Sequence, residues 1–297
     1  MDFRGGRTRH QQQLLTMDII SVMITGAGGF LGRHMTARLL GKGFKCLPYN
    51  HKELDITDTE AVSVAISGCK PDILVHCAAI SSTAYAKEHP DESMAVNVIG
   101  CQNLAQACCK SGTKLYVMSS DQVYGGCPGR TPLSEMEPVS PNNIYGEHKL
   151  LMEERVLDIL PDAIALRLTW MFENFNPVSP HTDMVSRMVF AVNNNQAIKT
   201  SSQEYRGISD VDTVCDNIIA SFGCLPGGVY NFGSGNSFDS YSTMLRVAES
   251  SGFPKELIAP DDSWGRNLSM DCSKLKTFGI GFPDTVSALT DTIKRSI

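Results

Sequence analysis

Ile19-Ile20-Ser21-Val22-Met23-Ile24-Thr25-Gly26-Ala27-Gly28-Gly29-Phe30-Leu31-Gly32 is the stretch on which the fold turns. The apolar run Ile19–Ile24 suits a strand buried on both faces, and it gives way to glycines and then to a helical pattern from Phe30 to Leu40. Strand, turn and helix in that order make one unit of a parallel α/β sheet. Further apolar strands are expected at Phe44–Leu47, Ile73–His76, Leu115–Met118 and Ile164–Leu168, separated by helices such as Glu92–Lys110 and Tyr145–Leu160. This alternation predicts a doubly wound parallel sheet over residues 17–168. After Leu168 the pattern is broken by Pro177, Pro180, Asn193–Asn195 and Gly233–Gly235. Residues 169–297 therefore read mainly as a smaller C-terminal lobe that faces a substrate, with a segment at about 208–232 returning to the sheet.

Residues 1–16 carry Arg4, Arg7, Arg9 and Gln11–Gln13 with too few apolar residues to pack, so a disordered extension is expected there, with Met17 as an alternative start. An apolar content of 42% over 297 residues is enough to fill one large core. The net charge of −6 offers no general field for a phosphate backbone, so nucleic acid is not an expected partner. No uncharged apolar run is long enough for a membrane helix, and the first residues lack the apolar core of a secretory signal. The expected location is the cytoplasm. The ten cysteines form no CxxC pair, and the seven histidines show neither HxxxH nor HExxH spacing. Reduced thiols and no catalytic metal are the expectation.

Gly26, Gly29 and Gly32 lie directly between a strand and a helix. Glycine allows positive φ in such a turn and lets backbone N–H groups approach a pyrophosphate, which the helix N-terminus stabilises. The third glycine lets helix and sheet pack closely. The same residues could form a plain tight turn, but in this context they point to a dinucleotide site on a Rossmann-type sheet. After the second strand, Pro48-Tyr49-Asn50-His51-Lys52 offers no carboxylate for an adenosine ribose, so the cofactor is read as NADPH or NADH, with His51 and Lys52 tilting the choice to NADPH. Asp55 is the acid best placed to reach the adenine, while Asp58 has the look of a helix N-cap.

Tyr145 and Lys149 are four residues apart on an expected helix and so share one face. There the ammonium is expected to lower the phenol's pKa and to hold the nicotinamide ribose, while Tyr145 donates a proton. Ser119, Ser120 and Asp121 follow the strand Leu115–Met118, at the carboxyl edge where open α/β sheets place ligands. A hydroxyl there can polarise a carbonyl. The two motifs together describe hydride transfer to a carbonyl carbon, with Tyr145 protonating the oxygen that Ser120 holds.

The segments TGAGGFLG (residues 25–32), SSDQVYGG (119–126) and PNNIYGEHK (141–149) resemble the extended short-chain dehydrogenase/reductase family. Within it, the likeness is strongest to the dTDP-4-dehydrorhamnose reductase branch, including ISDVDTV (208–214) and GRNLSMDCSKLKTFGI (265–280). That resemblance implies Ser120, Tyr145 and Lys149 as catalytic groups. It implies cofactor contacts at Gly29, Phe30 and Leu31, at Asp55 and Ile56, and at Ala78, Ala79 and Ile80. Ser120 and Asp121 would touch a sugar, and Trp170 would pack against a deoxysugar ring. The substrate class implied is a nucleotide-linked 4-keto-6-deoxysugar, reduced by a homodimer or a single chain. Two departures stand out: Gln122 occupies a usual tyrosine position, and Leu47-Pro48 lacks the acid common at the end of the second strand. Nucleotide-sugar epimerases and dehydratases share this pattern. The tail also resembles the regulatory β subunit of methionine adenosyltransferase, a binding partner rather than a catalyst.

Overall fold

A computed structural model describes residues 20–175 and 183–296. The expected extension at 1–16 and the breaks at Pro177 and Pro180 lie outside the described residues. The strands are β1 (Ser21–Thr25), β2 (Lys45–Tyr49), β3 (Ile73–His76), β4 (Lys114–Ser120), β5 (Ile164–Leu168), β6 (Trp170–Phe172), β7 (Ile198–Arg206), β8 (Ile208–Asp210), β9 (Gly228–Phe232) and β10 (Ile258–Leu268). The helices are α1 (Phe30–Gly41), α2 (Thr59–Cys69), α3 (Thr83–Glu88), α4 (Pro90–Met94), α5 (Gly100–Ser111), α6 (Ile144–Ile159), α7 (Met184–Asn194), α8 (Val211–Ala220), α9 (Ser240–Ser251), α10 (Ser273–Lys276) and α11 (Thr285–Ser296).

Among the described residues, six parallel strands form the main sheet in the order β2-β1-β3-β4-β5-β9. Alternate side chains of these strands fill two separate cores. Val22, Ile24, Val75, Tyr116 and Leu166 pack with Met35 and Leu39 of α1 and Val214 and Ile218 of α8. Met23, Leu74, Leu115, Val117 and Ala165 face the other way, onto Ile66 of α2, Leu104 of α5 and Met152 of α6. The apolar runs are unbroken because both faces are covered. A third core joins α7, α9 and α11 through Val185, Met188, Val247, Leu289 and Ile293, next to the paired strands β7–β10 and β6–β8.

Three expected elements differ from those observed. The second strand begins at Lys45 and runs through Pro48, which is tolerated because β2 lies at the sheet edge. The fourth strand continues through Ser120, so the serine pair ends the strand instead of following it. The helix expected over Glu92–Lys110 is interrupted by a π-helical turn at Ala95–Ile99. All ten cysteines are free, with Cys109 and Cys224 exposed. No described helix is long and apolar enough to cross a membrane.

The face of α6 that carries Tyr145 is fixed by a buried ion pair. Arg167 of β5 donates from Nε to Glu153 Oε1 at 2.9 Å and from Nη2 to Oε2 at 2.7 Å, with side chains 6% and 3% exposed. The Ser119 hydroxyl donates to the same carboxylate, and Arg167 Nη1 donates to the Tyr124 hydroxyl at 2.6 Å. Removing one partner leaves the other charge buried alone. Glu153→Ala should therefore destabilise the fold by roughly 3–5 kcal/mol, read as a lowered urea midpoint; an unchanged midpoint would show that the pair is structurally idle.

Candidate active site

The glycine turn joins β1 to α1. Gly26 has φ of 74°, and a Cβ there would lie 2.4 Å from the Ala78 nitrogen, so the chain leaving β3 is pressed against the turn. A Cβ on Gly32 would come within 2.1 Å of the Gly26 oxygen. Gly29 caps α1 without any side-chain cap, and the first turn carries no acid. Gly28 and Gly29 are exposed. A twelve-residue helix with no side-chain cap at Gly29 and no acidic residue in its own first turn fits a pyrophosphate. Phe30 is half-buried and Leu31 fully buried behind it.

Ala79 is exposed and Ile80 half-buried in the loop after β3. That loop is clamped by Asn97, a residue that sequence reasoning missed. Its Oδ1 accepts from the Ile80 N–H, and its Nδ2 donates to the Ile80 carbonyl, both at 3.0 Å. Asn97 is fully buried inside the π-helical turn, a feature common at functional sites. An asparagine between Val96 and Val98 on an apolar helix was the available signal. His51, Lys52 and Asp55 are exposed, and Ile56 is buried against Gly100. The Asp55 carboxylate accepts from the Thr57 N–H at 2.9 Å and its hydroxyl at 2.8 Å, which hold its pKa below the usual range. Asp58 is the N-cap of α2, accepting from Glu60 and Ala61.

Asn143 caps α6 by accepting from the Gly146 N–H at 3.0 Å. A Cβ on Gly146 would meet the Gln122 oxygen at 2.6 Å, so glycine there lets α6 lie against the end of β4. This brings the Tyr145 phenol close enough to Ser120 and Asp121 for both to bear on its ionisation. Both residues are 8% exposed. Lys149 is 2% exposed, donates from Nζ to the Met118 carbonyl at 2.7 Å, and stands 5.7 Å from the centre of the Tyr145 ring.

The expected lowering of the phenol's pKa is not what these surroundings give. Burial pushes Tyr145 well above the ordinary phenol value; the Ser120 hydroxyl offsets part of this, and the Asp121 charge adds to it. Burial also lowers the pKa of Lys149. Burial is the largest effect on the phenol, and the Lys149 ammonium, 5.7 Å from the ring centre, does not overcome it. Tyr145 is thus a neutral phenol throughout the neutral range, which is the form that donates. Beneath Lys149, His76 shares a 2.7 Å hydrogen bond with Thr25, and burial followed by the Lys149 charge lowers its pKa to about 3.

Asp121 is buried beside Ser120, whose hydroxyl donates to its Oδ1 at 3.2 Å. Arg206 of β7, also missed from the sequence, donates to Asp121 Oδ2 at 2.8 Å. Its guanidinium stands 5.3 Å from the Trp170 ring centre, which ties the half-buried Trp170 to the same site. The structure therefore brings Ser120, Asp121, Tyr145, Lys149 and Trp170 to the carboxyl edge of the sheet, beside the glycine turn. Among the described residues, no cluster of His, Cys, Asp and Glu could hold a metal.

Comparison with known proteins places this geometry in a family. The chain is 34% identical over 163 residues to a dTDP-4-dehydrorhamnose reductase of Mycolicibacterium smegmatis, covering 55% of this chain and 49% of the relative. Against the first such relatives the chain spans about half their length. It is 28% identical to methionine adenosyltransferase 2 subunit beta of Bos taurus over 281 residues, covering 88% of this chain and 83% of that one. The crystal structure of dTDP-4-dehydrorhamnose reductase from Bacillus anthracis in complex with NADP superposes with a TM-score of 0.83 at 21% identity, covering 94% and 99% of the two chains, which confirms the Rossmann-type α/β fold. Residues 20–294 match the model of the RmlD substrate binding domain, and the chain belongs to that family.

Proposed function

We propose that this protein is an NADPH- or NADH-dependent reductase of a nucleotide-linked 4-keto-6-deoxysugar, with dTDP-4-dehydrorhamnose the first candidate. The observation that carries the reading is the grouping of Ser120, Tyr145 and Lys149, all buried at the sheet's carboxyl edge, with the Lys149 ammonium 5.7 Å from the centre of the Tyr145 ring. The bound cofactor supplies a hydride to the carbonyl carbon. Tyr145 passes its proton to the developing alkoxide and is left as phenolate, while Ser120 holds the oxygen. Lys149 orients the nicotinamide ribose and stabilises the phenolate once it forms.

Gly26, Gly29 and Gly32, with Phe30 and Leu31 behind them, would cradle the pyrophosphate. Ala78, Ala79 and Ile80 would line the nicotinamide side, and Asp55 and Ile56 the adenine side. Exposed His51 and Lys52 favour a 2′-phosphate, and the Bacillus anthracis relative holds NADP. Asp121 and Trp170 would contact the sugar. The buried grouping and the uncapped helix end support catalysis over a purely regulatory role.

The direct test is loss of NADPH absorbance when the protein meets enzymatically generated dTDP-4-dehydrorhamnose. Oxidation that requires the sugar is expected; none, in folded protein that binds NADPH, would overturn the reading and favour the binding-partner role. Tyr145→Phe should lower kcat by roughly 10² to 10⁴, the worth of a positioned general acid, with NADPH binding retained. Turnover equal to wild type would remove Tyr145 from the mechanism. Gly32→Val should do the opposite and abolish NADPH binding, measured by calorimetry, because the turn cannot close over a side chain.

A further inference from the structure

Asp121 is a buried carboxylate with charged groups on several sides. Arg206 Nη2 donates to its Oδ2 at 2.8 Å, and its Oδ1 accepts from Ser120 at 3.2 Å and from Gln122 Nε2 at 3.4 Å. Arg206 has a side chain 10% exposed, and its buried Nε has no partner. Its other near neighbour, Glu204 Oε1, lies 3.7 Å from Nη1. That carboxylate is already taken by Arg266, through Nε at 2.9 Å and Nη2 at 2.8 Å. Glu204 and Arg266 face each other across the parallel strands β7 and β10, and Arg266 Nη1 reaches Gln122 Oε1 at 3.2 Å. The charge of Arg206 is therefore directed chiefly at Asp121.

We propose that Arg206 is a positioning residue that holds Asp121 as a carboxylate, so that Tyr145 alone donates a proton at this site and the sugar is reduced without being dehydrated. This inference rests on the reductase reading for its catalytic consequence. A carboxyl buried without a cation takes up a proton. Burial raises the pKa of Asp121 and is the largest effect, so the net direction is upward; Arg206 first and then Arg266 limit that rise, against a smaller push from Glu204. From α6, the Tyr145 phenol faces the same carboxylate. A neutral Asp121 would present a second acidic proton beside the Ser120 hydroxyl. Such a proton is what loss of water from a keto sugar needs, because the hydroxyl must leave protonated. The ionised form offers no proton, and it accepts the Ser120 O–H only until a keto oxygen takes that hydrogen bond.

The test measures Asp121 directly, without turnover. Protein labelled with ¹³C in the aspartate carboxyls is titrated by NMR as wild type, Arg206→Gln and Arg206→Lys, with the Asp121 resonance assigned by its loss in Asp121→Asn. The Asp121 midpoint should rise by about one pH unit or more, a tenfold change in proton affinity, in Arg206→Gln, and should return most of the way in Arg206→Lys. An unchanged midpoint in folded Arg206→Gln, or no rise at all in Arg206→Lys where Arg206→Gln does not fold, overturns the proposal. Should Arg206→Gln fail to fold, Arg206→Lys still carries the test, with a smaller rise expected.

The second measurement is the pH profile of kcat with the keto sugar. Arg206→Gln should lose activity as pH falls through the raised Asp121 midpoint and converge on wild type above it, whereas loss that is uniform in pH would mark a merely structural role and sink the catalytic part. In an Asp121→Asn background, Arg206→Gln should not move the profile at all. Failure of wild type to reduce the sugar would overturn the reductase reading and leave the NMR titration to decide the role of Arg206.

Discussion

The Glu153 carboxylate is the anchor on which the site hangs. Tyr145, Lys149 and Glu153 follow one another at four-residue intervals along α6, and the last two bond to the end of β4, at the Met118 carbonyl and Ser119. A helix held to a strand by two polar contacts in a dry interior cannot slide or rotate without stranding one of them. Arg167 of the next strand closes the arrangement from below. The Tyr145 phenol and the Ser120 hydroxyl thus take their positions from the buried Glu153–Arg167 pair beside them.

The electrostatics of the site follow from burial more than from pairing. Tyr145 keeps its proton because water is excluded from it, and Lys149 spends its hydrogen bond on the backbone. His76 stays neutral for the same reason. Asp121 differs, since it is met by the Arg206 guanidinium arriving from β7. The strand that bears Arg206 thereby shapes the electrostatics around Tyr145 on α6.

Much of this was legible in the residues. The apolar strands revealed the parallel sheet because a strand covered on both faces has no polar alternation to lose, and the glycine spacing revealed the turn because Gly26 and Gly32 leave no room for a Cβ. Tyr145 and Lys149 followed from helical spacing. The strand end at Ser120 and the π-helical turn were not legible, since both are set by contacts between distant segments. Arg206 was hidden for the same reason: 85 residues separate it from Asp121, and nothing local marks it. The upward direction of the Tyr145 pKa was not legible, because the sequence shows that a lysine is near but not how deeply the phenol is buried.

The π-helical turn at Ala95–Ile99 divides a single rod into two segments with different duties. Beyond it, Cys101, Leu104, Ala105 and Cys108 form the apolar stripe that seals one face of the sheet. Before and within it, Ser93 and Asn97 point toward the cofactor loop and the His148 ring. In an uninterrupted helix, any change of residue spacing on one side would rotate the other. The widened turn acts as a phase shift between them, so the packing stripe and the loop clamp can accumulate substitutions as separate modules of one continuous segment.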